Sequence, residues 1–215
     1  MRRISLVRAI IVVTALLAAC TDARRYDPLP AGTVVLAFGD SVTHGTGAAA
    51  GEDYPSRLAA LTGWRVVNAG VPGDTARRAK ERIDAALRSA KPALAIIELG
   101  GNDFLRHRTA PDVVKEDLRA LVRAVREAGA IPVLVGVPEP SAFAALTGRL
   151  SDSPIYAALA AEEDVLLIDD ALADVLSDES LRADPIHPNA AGYRLLAQRI
   201  AEALARAGLL AGMRT

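Results

Sequence analysis

Cysteine is nearly absent from this sequence, with Cys20 alone among 215 residues, and aromatic residues make up only 4%. A single cysteine excludes an internal disulfide and leaves a thiol that needs another purpose. So few aromatics exclude a base-stacking platform for nucleic acid, and they leave the core to Val, Leu, Ile and Ala. Neither sign of charge dominates: 25 Lys and Arg stand against 26 Asp and Glu, for a net charge of −1. A phosphate-binding field is therefore missing, and the arginines are scattered along helical segments. No His, Cys, Asp and Glu stand together at metal-ligand spacing, so neither a metal nor a cofactor is expected. Internal repeats and low-complexity tracts are missing too. What is abundant is apolar sequence, at 51% of 215 residues, enough for one domain with a full core.

The first twenty residues differ in kind from the rest. Arg2, Arg3 and Arg8 precede an apolar stretch from Ala9 to Ala19, which falls short of the about 20 residues that a membrane helix needs. This is a signal-peptide pattern, and it ends in Leu17-Ala18-Ala19-Cys20. It resembles a bacterial lipoprotein signal, in which cleavage falls before the cysteine and the new N-terminus is lipidated. An ordinary secretory signal, or an uncleaved anchor with an incidental cysteine, is the alternative. Several acyl chains on Cys20 would anchor the protein stably where one would be marginal. The expected organisation is a signal peptide over residues 1–19, a lipidated N-terminus and Pro-containing tether over 20–32, and one domain over 33–215. Such a protein is exported and faces the periplasm or the cell exterior of a bacterium.

From Thr33 onward, apolar β-type runs alternate with helical patterns. Thr33 to Phe38, Arg65 to Asn68, Ala93 to Leu99, Ile131 to Val137 and Val165 to Asp169 are the expected strands. Val113, Val114, Leu118, Leu121, Val122 and Val125 form a helical stripe that stops near Gly129, and Tyr193, Leu196, Ile200 and Leu204 form another after Pro188. This alternation predicts an α/β fold with a mainly parallel sheet covered by helices on both faces.

The chemistry gathers where those strands end. The first run stops at Gly39-Asp40-Ser41, which places a hydroxyl at a strand's carboxyl end, the edge where open parallel sheets bind ligands. Read alone, the same residues make an Asx or serine turn. After the second strand comes Val71-Pro72-Gly73-Asp74-Thr75, a turn opening a helix, with Asp74 or Thr75 as cap and backbone N–H groups free to face an anion. After the third comes Glu98-Leu99-Gly100-Gly101-Asn102-Asp103, where Asn102 is either a turn former or a side-chain amide aimed at a developing oxyanion. Last is Asp184-Pro185-Ile186-His187-Pro188-Asn189, whose prolines forbid a helix and set the acid and the imidazole on a rigid loop. A carboxylate so close can orient the ring and leave its other nitrogen to take a proton from a serine. A capping turn with an exposed histidine is the alternative. His44 and His107 are weaker candidates, although His44 follows Ser41 closely enough to line a pocket.

Taken in order, Gly39-Asp40-Ser41, Pro72-Gly73-Asp74, Gly100-Gly101-Asn102-Asp103 and Asp184-Pro185-Ile186-His187-Pro188 resemble the four sequence blocks of the SGNH, or GDSL, hydrolases, and the likeness covers Val34 to about Leu204. The Gly-x-Ser-x-Gly elbow of the other serine-hydrolase fold is not found. The resemblance implies a three-layer, flavodoxin-like α/β/α sandwich with Ser41 as nucleophile, His187 as base and Asp184 as its orienter. It also implies an oxyanion hole made by the N–H groups of Ser41 and Gly73 and the side chain of Asn102. Val-Val-Asn-Ala and Glu-Leu-Gly-Gly-Asn-Asp look like the bacterial thioesterases, lysophospholipases and arylesterases of that family. The expected substrate is then a small acyl ester or thioester, held beside Val71, Phe104, Leu105 and the segment from Pro138 to Phe143, by a protein acting as a monomer. An esterase removing acetyl groups from envelope polysaccharide, and a non-catalytic surface lipoprotein that binds a partner, are the other readings. Arg106, His107 and Arg108 read as a solvated basic turn or as a site for a phosphate or carboxylate.

Overall fold

Five of the apolar runs become the strands of one sheet. They are β1 (Val34–Gly39), β2 (Arg65–Gly70), β3 (Leu94–Glu98), β4 (Ile131–Val135) and β5 (Leu166–Ile168). The computed structural model of the protein describes residues 26–106, 108–139 and 148–211. Cys20, His107 and the segment Pro140 to Phe143 lie outside the described residues. The strand order is β2-β1-β3-β4-β5, with every neighbouring pair parallel. The three central strands are almost wholly buried, as continuous Val, Ile and Leu runs require when helices cover both faces, while the edge strands β2 and β5 are half exposed.

The order explains the layers. From β1 the chain moves outward to β2, and from there it travels the other way through β3, β4 and β5. Right-handed crossovers then put helix Tyr54–Thr62 on one face and helices Ile83–Ala90, Pro111–Glu127 and Pro154–Glu163 on the other. The final helix, Ala190–Arg206, joins Tyr54–Thr62. This is the expected three-layer α/β/α sandwich. The reversal of direction at β1 opens a crevice between the carboxyl ends of β1 and β3, the usual ligand position of such sheets.

Both helical stripes form, with two differences. Val114, Leu118, Leu121, Val122 and Val125 are buried, but Val113 is 45% exposed because it falls one position off the 3.6-residue stripe. The last helix starts at Ala190 rather than in the turn set by Pro188, because Asn189 caps it, its side chain accepting the N–H groups of Ala191 and Gly192 at 3.0 Å each. The stretch expected as a rigid loop around Asp184 and His187 is a short antiparallel hairpin, Arg182–Asp184 against His187–Pro188. Residues 26–32, expected as tether, are tied to the body: Tyr26 and Leu29 donate to the carbonyls of Ala207 and Leu209, and the indole of Trp64 donates to Leu29.

Candidate active site

Ser41 stands at the first position of a one-turn helix, Ser41–His44, that begins where β1 ends. Asp40 caps this helix, its Oδ1 accepting the Val42 N–H at 3.0 Å. The turn folds back over the sheet edge only because Gly39 has no side chain, since a Cβ there would lie 2.0 Å from Thr43 Oγ1. Ser41 Oγ lies 2.9 Å from Nε2 of His187, and Nδ1 of the same ring lies 2.7 Å from Oδ2 of Asp184. The other oxygen of Asp184 accepts the backbone N–H groups of Ile186 and His187 at 2.9 Å each. An ionised carboxylate only accepts, so Nδ1 carries the ring proton and Nε2 is free to accept from Ser41. Burial pushes the Asp184 carboxyl up, but the hydrogen bonds from the His187 ring and the Ile186 amide outweigh it and hold the group below its ordinary value.

The other two segments stand on either side of Ser41. Val71-Pro72-Gly73-Asp74 forms a type II turn closed by Asp74 N–H on Val71 O at 3.0 Å, with Pro72 second and Gly73 third at φ +80°. That turn uses the Asp74 amide and leaves the Gly73 N–H outside its hydrogen bond. Thr75 rather than Asp74 caps the helix that follows, its hydroxyl accepting Arg78 N–H at 3.2 Å. Asn102 is buried beside Ser41, but its side-chain amide donates to Asp40 Oδ2 and to the Asp74 carbonyl, each at 2.9 Å. Both amide protons are therefore engaged within the protein. Asp103, the next residue, accepts the Ala76 N–H at 3.0 Å and so ties the third segment to the second.

Two buried acids complete the floor. Glu98, last in β3, accepts both the N–H and the hydroxyl of Thr43, at 3.2 and 2.8 Å. Its carboxyl is pushed well above the usual range, first by burial and then by the nearby Asp40. Asp40 is itself raised to about 6, chiefly by burial and despite the Val42 amide and His187. Arg82 lies outside every segment singled out in the sequence: Nε donates to Asp74 at 2.7 Å, while Nη1 and Nη2 donate to the carbonyls of Ala69 and Gly39 at 2.8 Å each.

Ser41, Asn102 and His187 open onto a cavity of about 290 Å³, walled by Leu105, Val137, Pro138, Leu150, Leu172, Leu176 and Ile186. Leu105 and Pro138 are where the sequence places them. Val71 and Phe104 do not line the cavity: Val71 is 39% exposed on its turn and Phe104 is packed into the core. His44 is also outside it, because its short helix turns the side chain to solvent. Gly73 borders the site through Asp74 and is not part of the cavity wall.

The profile of the GDSL-like lipase/acylhydrolase family matches residues 37–195, a span that contains all four segments. The chain belongs to this family. Esterase TesA of Pseudomonas aeruginosa is 32% identical over 176 residues, covering 79% of this chain and 87% of its own. The thioesterase 1/protease 1/lysophospholipase L1 of Escherichia coli K12 is 32% identical over 182 residues, covering 81% and 84%. A crystal structure of TesA superposes with a TM-score of 0.70 at 31% identity, over 81% of this chain and 99% of that one. As a GDSL hydrolase the protein is an ester-hydrolysing enzyme, and it shares its fold with that solved structure.

Proposed function

We propose that this GDSL hydrolase cleaves carboxylic esters and thioesters of small acyl groups through an acyl-Ser41 intermediate. The observation that carries the reading is the unbroken line from Asp184 through His187 to Ser41, at 2.7 and 2.9 Å. Ser41 Oγ attacks the carbonyl carbon while its proton passes to Nε2 of His187. The carbonyl oxygen takes up the negative charge and is met by the N–H groups of Ser41 and Gly73 and by the Asn102 amide. The imidazolium returns its proton to the departing alcohol or thiol as the bond to it breaks. Water, deprotonated by the same ring, then releases the acid. Because both Asn102 protons have partners in the free enzyme, the one on Asp40 is shared with the oxyanion as charge develops.

The cavity supports a short apolar acyl group. At about 290 Å³ it lies just below the usual range of ligand-sized pockets, about 300 to 1,000 Å³, and Leu, Val and Ile supply seven of its sixteen described lining residues. The same volume favours an acetyl group as a second reading, with an acetylated envelope polysaccharide as substrate. A panel of nitrophenyl esters, acyl-CoAs, lysophospholipids and acetylated sugars separates the two. Turnover of short acyl esters and thioesters supports the first reading, and acetyl-sugar turnover without acyl-chain turnover overturns it.

The place of action follows from Cys20. We read the protein as exported and lipidated there, and Cys20→Ser in the full chain removes both acyl labelling and membrane association if that is so. Acyl labelling that persists in Cys20→Ser contradicts it.

A further inference from the structure

Arg82 is the one cation among the described residues whose guanidinium reaches the carboxyl ends of two strands at once. Nη2 holds the carbonyl of Gly39, the residue before Asp40-Ser41, and Nη1 holds that of Ala69 near the end of β2, at 2.8 Å each. Nε donates at 2.7 Å to Asp74, whose side chain is only 3% exposed. The guanidinium carbon also lies over the Phe38 ring, 3.9 Å from its centroid. Asp74 in turn serves both sides of the expected oxyanion hole. Its N–H closes the turn that presents Gly73, and its carbonyl accepts one proton of the Asn102 amide at 2.9 Å.

We infer that Arg82 is a positioning residue for the hydrolysis, fixing the Gly73 turn and the Asn102 amide relative to Ser41. This rests on the reading of Gly73 and Asn102 as oxyanion donors. The chemistry requires a guanidinium. A rigid fork makes directed bonds to two carbonyls and a carboxylate together, which a lysine ammonium on a flexible stem does not reproduce. A buried Asp74 also needs a charged partner, which a neutral side chain at position 82 would remove. Displacing oxyanion donors by about 1 Å is enough to cost about 10²-fold in rate, so Arg82 acts on turnover without touching the substrate.

Arg82→Lys, Arg82→Ala and Asp74→Asn are compared with the wild type and with Asn102→Ala on nitrophenyl butyrate. The kcat is normalised to Ser41 sites titrated by a fluorophosphonate, so that loss of folded protein does not count as loss of rate. The expected result is a kcat lower by about 10²-fold in the Arg82 variants, with KM changed less than about threefold. Guanidinium ion added to Arg82→Ala restores part of its kcat and leaves Asn102→Ala unchanged. If Arg82→Ala yields no folded protein, Arg82→Lys and Asp74→Asn carry the comparison. A kcat within about twofold of wild type in Arg82→Lys, with that of Asn102→Ala lower by about 10²-fold or more, overturns the role of Arg82 alone. Full activity in Asn102→Ala overturns the oxyanion reading on which it stands.

Discussion

Asp40 does two things with one carboxylate, capping the Ser41 helix through Oδ1 and holding the Asn102 amide through Oδ2. Its pKa, raised from 3.8 to about 6 chiefly by burial, means that the folded protein binds this proton more tightly than the unfolded chain does. Stability associated with the protonated carboxyl is present below the unfolded value of 3.8 and is lost as pH rises towards about 6. Asp40→Asn cannot take part in that loss, so its melting temperature relative to wild type is predicted to improve between pH 4 and pH 6.5, measured by a thermal unfolding series. A difference that does not change with pH would contradict the assignment. The same variant offers one carbonyl oxygen where two donors need acceptors, and its turnover is predicted to fall with Asn102 no longer held. Asn102→Ala itself is expected to raise the barrier by about 2.7 to 4 kcal/mol, or roughly 10²- to 10³-fold in kcat, with a circular dichroism spectrum like that of wild type.

At the scale of elements, two glycines with positive φ separate packing from activity. Gly100, at φ +132°, opens the helix Gly101–Leu105, and a Cβ there would lie 2.1 Å from the hydroxyl of Tyr156. That hydroxyl donates to the Leu99 carbonyl at 2.6 Å and cannot retreat without breaking a buried bond. Gly100→Ala is predicted to lose at least about 2 kcal/mol of stability by thermal or urea unfolding. Gly73, at φ +80°, has nothing within 4 Å of its Cβ position, so Gly73→Ala is expected to cost only about 1 to 2 kcal/mol. Its turnover should fall further than its stability if the turn it sits in presents an oxyanion donor. The strands were legible because buried parallel strands read as continuous apolar runs, and glycines stand at or just after the ends of β1 to β4. The hairpin that carries Asp184 and His187 was not, because strands of two or three residues leave no periodic pattern. Arg82 gave no signal either: it follows Lys80 and Glu81 in a polar stretch, and two of its three partners are backbone carbonyls.

For the molecule as a whole, the two ends of the last helix define opposite edges. Its start adjoins His187 and the site, whereas its end receives Tyr26 and Leu29 through the carbonyls of Ala207 and Leu209. Seventeen helical residues separate the two, about 25 Å at 1.5 Å per residue. Only the five residues 21–25 connect Tyr26 to Cys20, six residue steps that reach at most about 22 Å. A chain lipidated at Cys20 is thus predicted to turn its cavity away from its own bilayer, towards esters arriving through water. A fluorescent phosphonate on Ser41 of the full chain in vesicles would then escape quenching by nitroxide-labelled lipids, and strong quenching would contradict this arrangement. Segments far apart in sequence converge on one nucleophile, Ser41. Peptide mapping after partial fluorophosphonate labelling, with residual nitrophenyl butyrate hydrolysis measured on the same samples, tests it most directly. A single adduct is expected, on Ser41, with activity falling in proportion to its occupancy and no activity in Ser41→Ala. Hydrolysis that survives complete modification of Ser41, or persists in Ser41→Ala, would contradict it.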